Sequence, residues 1–317
     1  MREKPVLIQV GITERCNLKC IHCDIWRKEK KEELSSKQWL EIIERIRDWL
    51  GPYRLDISGG EPFIREDLIE IIEFCNRNEI GPVITTNATL LDKDAIRRLS
   101  EIDNLVINIS LDGINQKTHD YLRGTIGTYY KVIEVLDGFK SKDRKCSITL
   151  ATILMGHNVT EIINILKMVF VDGLADGVNF QALDHNFSAE YDENWYKKSR
   201  LWPSETGKNY FTFIIDELIN FKKNGLFVYN PIQQLEQFKN YFTNSENKTE
   251  ALCDAGDSNF IINPSGEVLL CWNTEPVGDI KKEKPEKIWN SSQADKRRAE
   301  IKKCSRTCRI LNCNFND

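Results

Sequence analysis

The chain has 317 residues, with 44 lysines and arginines against 48 aspartates and glutamates, and a formal net charge of −4. This near balance gives no general reason to expect binding to nucleic acid or to an anionic membrane, and no apolar stretch approaches the roughly 20 residues that a spanning helix needs. The N-terminus lacks the apolar core of a secretory signal, so we expect a cytoplasmic protein. In a reducing compartment the ten cysteines should be metal ligands, catalytic thiols or packing residues rather than disulfides.

Short strand-like runs alternate with longer amphipathic runs in the first part of the chain. The strand-like runs cover 7–13, 54–58, 82–86, 105–111, 147–153 and 177–183. Helical spacing of apolar residues predicts helices over 36–50, 66–78, 92–100, 127–141 and 159–170. Ser35 and Gln38 have the spacing of a capping box at the start of the first helix. Such repeats with right-handed crossovers build an α/β fold with a parallel sheet, either open or curled towards a barrel.

Three cysteines follow the first strand-like run in a C-x3-C-x2-C pattern: Cys16, Cys20 and Cys23. A four-iron cluster is closed by four thiolates, so three leave one iron open to an exogenous ligand. Zinc, with His22 as the fourth ligand, is the alternative. We expect His22 to point away because it lies between two of the cysteines, and the spacing therefore favours an iron–sulfur cluster.

The segment ERCNLKCIHC (14–23) and the turn SGGEP (58–62) together resemble the two hallmark motifs of the radical S-adenosylmethionine (SAM) enzymes. The resemblance covers about residues 5–317 and implies a partial (β/α)6 barrel over 1–184. It implies that SAM binds the open iron of a [4Fe–4S] cluster held by the three cysteines, which are thereby catalytic. An electron from a flavodoxin- or ferredoxin-type donor then cleaves SAM to a 5′-deoxyadenosyl radical, which abstracts a substrate hydrogen.

The same resemblance implies SAM contacts at the ends of the second and third strands. Gly59 and Gly60 are expected to let the backbone approach SAM closely, and the turn continues with Glu61 and Pro62. Glu61 is a candidate partner of the methionyl ammonium, or else it only holds the turn. Asn87 ends the third strand and either contacts SAM or caps the loop.

Further candidate contacts follow the later strands. The family places ribose contacts at Ser110 and Asp112, although Asp112 is also a plausible turn former. The segment around Arg123 resembles the one whose arginine faces the SAM carboxylate, with a surface salt bridge as the alternative. Asn179 and Gln181 share one face of the last strand, and we expect their amides to bind substrate.

The pattern changes after residue 184. A connecting segment, 185–250, contains a predicted helix over 204–224, and 251–317 holds five cysteines. The run FIINPSGEVLLC predicts a hairpin between two of them. This tail resembles the twitch or SPASM domain of radical SAM enzymes, which implies one auxiliary [4Fe–4S] cluster, with a zinc knuckle as the alternative. The expected ligands are Cys253 and Cys271, which flank the hairpin, and two of the last three cysteines, Cys304, Cys308 and Cys313.

The substrate is less constrained than the reaction class. Only about six residues precede the first strand, whereas peptide-modifying relatives often carry an extra N-terminal domain, so we expect a small polar, sugar- or nucleotide-like metabolite that is oxidised, epimerised or rearranged. The alternative is modification of a ribosomally made peptide. A non-catalytic zinc scaffold and an iron–sulfur electron carrier are hypotheses of another class. The aromatic segment 191–202 covers the substrate, acts as a lid or packs in the core.

Overall fold

In the computed structural model, residues 2–29, 32–141, 143–243 and 253–311 are described. Within these ranges nine strands form one sheet in the order β6-β5-β4-β3-β2-β1-β7-β8-β9. The strands are β1 Leu7–Thr13, β2 Arg54–Gly59, β3 Gly81–Thr86, β4 Val106–Ser110, β5 Ser147–Leu154, β6 Gly177–Ala182, β7 Asn259–Ile262, β8 Glu267–Leu269 and β9 Gly278–Asp279. All six strand-like runs and the C-terminal hairpin are confirmed.

The helices of the first part of the chain are α1 Ser36–Leu50, α2 Leu68–Arg77, α3 Lys93–Ser100, α4 Gln116–Arg123, α5 Thr128–Gly138 and α6 Ile162–Phe170. All of them except α4 were predicted, with similar bounds. Those of the remainder are α7 Trp195–Lys198, α8 Glu205–Lys223, α9 Ile232–Thr243, α10 Ala255–Ser258, α11 Pro285–Trp289 and α12 Ser292–Lys302. Among the described helices, none combines the length and the apolar composition that a bilayer crossing requires.

The parallel strands divide their side chains between two different environments. Alternate residues such as Val10, Ile57 and Ile107 are completely or almost completely buried, within one hydrophobic cluster that includes the helices. The intervening residues, among them Thr85 and Asn108, line a cavity on the other face. Because strand side chains alternate between faces, one face of the sheet forms the core and the other forms a polar site.

The C-terminal hairpin extends the sheet of the barrel. Strand β7 pairs in parallel with β1, from Leu7 with Asn259 to Val10 with Ile262. Strands β8 and β9 then add antiparallel neighbours. The cysteine-rich segment is therefore joined to the strand that leads into the first cysteine cluster.

Two buried thiols take no part in either cysteine cluster. Cys75 on α2 and Cys146 before β5 are both buried within the hydrophobic cluster. Both are packing residues.

Candidate active site

A cavity of about 690 Å³ lies at the carboxyl ends of the parallel strands, β1 to β6. Reactive groups are concentrated at this end in parallel α/β barrels. The lining includes most of the candidate site residues predicted from the sequence: Cys16, Cys20, Cys23, Gly59, Gly60, Glu61, Asn87, Ser110, Arg123, Asn179, Gln181 and Cys308.

The three N-terminal thiols share this cavity. Burial raises the pKa of Cys16 to about 11, and it also raises the pKa of Cys20 and of Cys23. Binding a cluster therefore requires the loss of three protons, which couples assembly to pH. His22 also lines the cavity.

The His22 ring is neutral at ordinary pH. Burial lowers the pKa of His22 to about 4. Its Nδ1 is buried and has no hydrogen-bond partner in the described residues.

The glycine pair holds the start of the cysteine loop. Gly59 has φ +128°, and a Cβ there would lie 2.2 Å from the carbonyl oxygen of Thr13. A Cβ on Gly60 would lie 2.1 Å from the carbonyl oxygen of Arg15. The Gly60 N–H donates to the Thr13 oxygen at 2.8 Å. The close approach that the glycines permit in this structure is therefore to the protein's own cysteine loop, rather than to SAM alone.

The other end of the loop rests on helix α4. Gly124 caps this helix with φ +63°, and a Cβ there would lie 2.0 Å from the carbonyl oxygen of Lys19. The Ile21 N–H donates to the Leu122 carbonyl at 3.1 Å. Glycines on two different elements thus fix the backbone on both sides of Cys16, and the bond from Ile21 to Leu122 holds the residue after Cys20.

Glu61 ties the turn after β2 to the end of β3. Its carboxylate accepts from Thr86 Oγ1 at 2.6 Å, from the Asn87 N–H at 2.8 Å and from the Phe63 N–H at 3.1 Å. Pro62 begins a short 3-10 turn and is buried. These contacts show Glu61 holding the turn, which was one of its two predicted roles.

Ser110 and Arg123 line the cavity, whereas Asp112 lies beneath it. Asp112 is fully buried, with its Oδ1 accepting from the Ile153 N–H at 2.9 Å and its Oδ2 2.7 Å from an Arg123 terminal nitrogen. Arg123 therefore forms a buried ion pair rather than the surface salt bridge of the alternative prediction. Its Nε is buried without a partner in the described residues, so the guanidinium keeps a donor for a ligand.

Asn87 connects the cysteine loop to the end of β3. Its Nδ2 donates to Asn17 Oδ1 at 3.0 Å, and its own N–H is held by Glu61. This side chain is engaged by the protein itself, which agrees with the predicted role of capping the loop.

The C-terminal thiols form a second group beside the cavity. Burial raises the pKa of Cys271, and the nearby thiols of Cys253 and Cys304 raise it further. Cys308 lines the cavity directly. Cys313 lies outside the described residues, so its predicted part in the ligand set stays a prediction.

Several cavity residues were not predicted from the sequence. Trp272 follows a cysteine of the second group, and its Nε1 donates to Gln9 Oε1 at 3.1 Å. Phe187 meets it edge-on, with ring centres 6.1 Å apart. An aromatic residue directly after a candidate cluster ligand was the one signal present in the sequence. Tyr191 of the aromatic segment lines the cavity, whereas Trp202 packs against Tyr241 and Phe242.

The donor set matches the cofactors implied by the motifs. Three thiols at the cavity wall suit an incompletely ligated iron–sulfur cluster, and the free Arg123 Nε suits an anionic group of SAM. In the described part of the chain, no three histidine, cysteine, aspartate or glutamate side chains converge closely enough to hold a single metal ion.

Comparison with known families decides the class. The model of the radical SAM superfamily matches residues 10–169, and that of the SPASM iron–sulfur cluster-binding domain matches residues 253–314. The chain belongs to the radical SAM superfamily. This radical SAM enzyme therefore has SAM and a [4Fe–4S] cluster as its cofactors, and its SPASM domain provides for an auxiliary iron–sulfur cluster.

Individual relatives match different parts of the chain. The Fe-coproporphyrin III synthase of Methanosarcina barkeri is 37% identical over 129 residues, which are 40% of this chain and 32% of that protein. The antilisterial bacteriocin subtilosin biosynthesis protein AlbA of Bacillus subtilis is 24% identical over an alignment of 322 positions. The alignment covers 98% of this chain and 66% of that protein. The matches span only 32% to 43% of the first five curated relatives.

Solved structures share the fold. That of Streptococcus suis SuiB bound to precursor peptide SuiA has a TM-score of 0.70 at 18% identity, and the match covers 93% of this chain and 67% of that one. The predicted partial barrel with a C-terminal iron–sulfur domain is thus confirmed.

Proposed function

We propose that this radical SAM enzyme cleaves SAM reductively and abstracts a hydrogen atom from a peptide. The observation that carries the proposal is that the first cysteine group, the polar strand ends and Cys308 of the second group all line one cavity. When bound, the reduced cluster supplies the electron that breaks a carbon–sulfur bond of SAM, and the 5′-deoxyadenosyl radical abstracts the hydrogen. A flavodoxin- or ferredoxin-type protein is the proposed source of that electron.

The chain's own residues would position SAM and exclude water. Cys16, Cys20 and Cys23 would hold the cluster, and the donor left free on Arg123 would bind the SAM carboxylate. Ser110, buried at the end of β4, would contact the ribose. A radical reaction needs such enclosure because bulk water and stray C–H bonds would otherwise compete.

The pairing of Asp112 with Arg123 gives the arginine a fixed orientation. A buried guanidinium without a counter-ion would be costly, and the 2.7 Å contact with Asp112 offsets part of that cost. We therefore assign Asp112 to positioning Arg123 rather than to direct contact with the ribose.

A peptide is better supported as the substrate than the small metabolite expected first. Relatives whose matches extend over most of this chain include a bacteriocin biosynthesis protein, PqqA peptide cyclase and SuiB, which was solved with a precursor peptide. BtrN, solved with 2-DOIA, also covers 99% of this chain, but at a lower TM-score of 0.53. The synthase match, by contrast, covers only 40% of the chain. The amides of Asn179 and Gln181, both at the cavity, would then bind peptide groups, which carry one donor and one acceptor per residue.

The test begins with anaerobic reconstitution with iron and sulfide, followed by SAM and dithionite. We expect a brown protein that releases 5′-deoxyadenosine, and we expect Cys16→Ala, Cys20→Ala or Cys23→Ala to abolish that release. Cys75→Ala is the matched control, since this buried thiol packs in the core, and it should keep both iron and activity.

The second cysteine group should respond differently. Cys271→Ala should retain part of the uncoupled SAM cleavage and lose the mass change of a candidate peptide encoded beside the gene. Equal losses from the two groups would contradict this division of roles. A colourless protein that binds zinc would support a scaffold, and a brown one that never cleaves SAM would support an electron carrier.

A further inference from the structure

Arg306 presents its guanidinium to the cavity from the C-terminal tail. The residue lies between two cysteines of the second group, and both it and Tyr191 line the cavity. The guanidinium carbon stands 4.1 Å from the centre of the Tyr191 ring. The Tyr191 ring is in turn packed edge-on against His185, with ring centres 5.3 Å apart. Stacking on an aromatic face holds the guanidinium plane and leaves its N–H edge available.

The other two cavity cations already have carboxylate partners. Lys28 Nζ lies 3.3 Å from Glu14, and Arg123 lies 2.7 Å from Asp112. Among the ion pairs of the described residues, whose N–O distances extend to 4.0 Å, none involves Arg306. Arg306 is thus the cavity cation without a carboxylate at ion-pair distance in this part of the chain, although it is near enough to counteract in part the rise that burial causes in the pKa of Asp184.

The carboxylate of Asp184, also at the cavity, is bound by its chain neighbour His185 and by Thr307, the residue after Arg306. Its Oδ1 accepts from the His185 N–H at 2.8 Å and faces Thr307 Oγ1 at 3.4 Å. These contacts leave the forked donor edge of Arg306 without an acceptor from this carboxylate. A planar fork of N–H groups matches the two oxygens of a carboxylate better than any neutral group.

We propose that Arg306 binds a carboxylate of the peptide substrate and makes the enzyme selective for a peptide that carries one at the modified region. This inference rests on the peptide substrate proposed above. The carboxylate comes either from an acidic side chain or from the peptide C-terminus, since both offer the same pair of oxygens. Because Arg306 lies between Cys304 and Cys308 in the chain, the bound carboxylate is held beside the second cysteine group, in the cavity that the thiols of the first group also line.

The experiment measures retention of three labelled peptides by the reconstituted enzyme with SAM, using anaerobic equilibrium dialysis. The probes are Ac-Gly-Glu-Gly-NH2, with a side-chain carboxylate, Ac-Gly-Gln-Gly-OH, with a terminal one, and Ac-Gly-Gln-Gly-NH2, with neither. A charged hydrogen-bonded contact is worth about tenfold or more in the dissociation constant. We expect at least one acidic probe to be retained about tenfold more strongly than the neutral probe, and the better of the two identifies the source of the carboxylate.

The variants assign that preference to one side chain. Arg306→Gln should abolish it, Arg306→Lys should keep part of it because the charge remains without the fork, and Lys303→Gln, an exposed cation three residues earlier, should keep all of it. Iron and sulfide contents of each variant show that the clusters are present. The inference is overturned if the wild type retains all three probes equally or retains none of them. It is also overturned if Arg306→Gln keeps the preference for an acidic probe.

Failure of this inference is distinguishable from failure of the proposed function. Retention is measured without turnover, so it can be read even if SAM is never cleaved. Modification of a peptide by the wild type together with unchanged probe retention in Arg306→Gln would leave the proposed function standing and remove only the role of Arg306.

Discussion

The contact between Gly124 and the cysteine loop gives a prediction with a matched control. Replacing Gly124 by alanine puts a Cβ 2.0 Å from the Lys19 carbonyl oxygen, where ordinary contact begins at 3.4 Å. The loop must therefore move by more than an ångström next to Cys20, or α4 must shift away. Overpacking of this kind costs about 1–3 kcal/mol. A left-handed conformation adds about 1–2 kcal/mol for a residue with a Cβ.

Gly173 separates these two costs, since it has the same φ of +63° and no atom within 4 Å of the position that a Cβ would take. We expect Gly173→Ala to lower the free energy of unfolding of the apoprotein in urea by only the conformational cost, and to bind normal amounts of iron after reconstitution. Gly124→Ala should lose about 1–3 kcal/mol more and incorporate less iron at the first site. Equal unfolding energies and equal iron contents in the two variants would refute the claim that Gly124 positions the loop.

Two further predictions concern the stability of the barrel, both measured on the apoprotein. Asn230→Ala should lower the free energy of unfolding in urea by about 2–3 kcal/mol, because the buried amide bonds both the N–H and the carbonyl of Phe180 and its loss leaves both groups without a partner. A decrease below about 1 kcal/mol would show that water replaces the amide. Asp176 is partly buried, which raises its pKa, yet hydrogen bonds from Arg144 and the Ile148 N–H bring that pKa below its ordinary value. This stabilisation is present above the unfolded-state pKa and is lost as the pH falls through the folded-state pKa. From about pH 5 downwards, the free energy of unfolding of the wild type should therefore fall more than that of Asp176→Asn. Parallel curves for the two proteins would contradict it.

Elements governed by neighbouring residues could be predicted from the sequence. Helix α1 spans Ser36–Leu50, as its apolar spacing predicts, and both bonds of the capping box between Ser35 and Gln38 form. Strand β1 likewise has its predicted bounds. In each case the signal lies within a few residues, because capping bonds and the alternation of buried side chains are local.

Helix α4 was not predicted because its buried face is largely polar. Its buried polar residues are Thr118, His119, Asp120 and Arg123. Each of them has a hydrogen-bond or ion-pair partner on another segment of the chain. Thr118, for example, donates to Glu161, and Asp120 accepts from the Tyr129 N–H at 2.8 Å. Periodicity of apolar residues cannot detect a helix whose inner face is satisfied by hydrogen bonds to distant or irregular segments.

The two glycines after β2 show a different limit of sequence reasoning. The motif implied a close approach at Gly59 and Gly60, and the structure has one, but the approaching group is the backbone of Thr13 and Arg15. A glycine in the motif indicates that no Cβ fits at that position. It does not indicate whether a ligand or the protein fills the space, because that depends on a loop more than forty positions away in the chain.

The pairing of β7 with β1 brings the two cysteine groups to the same cavity. Strand β1 runs directly into the first cysteine loop, so a parallel neighbour ends at the same edge of the sheet. The turn after β7 consequently places Pro264 in the cavity wall, where its carbonyl accepts from the Leu34 N–H at 2.8 Å. The return strand β8 then leads to Trp272, whose ring contacts the cavity. Since this pairing joins residues more than 240 positions apart, the common site depends on the sheet and not on either motif alone.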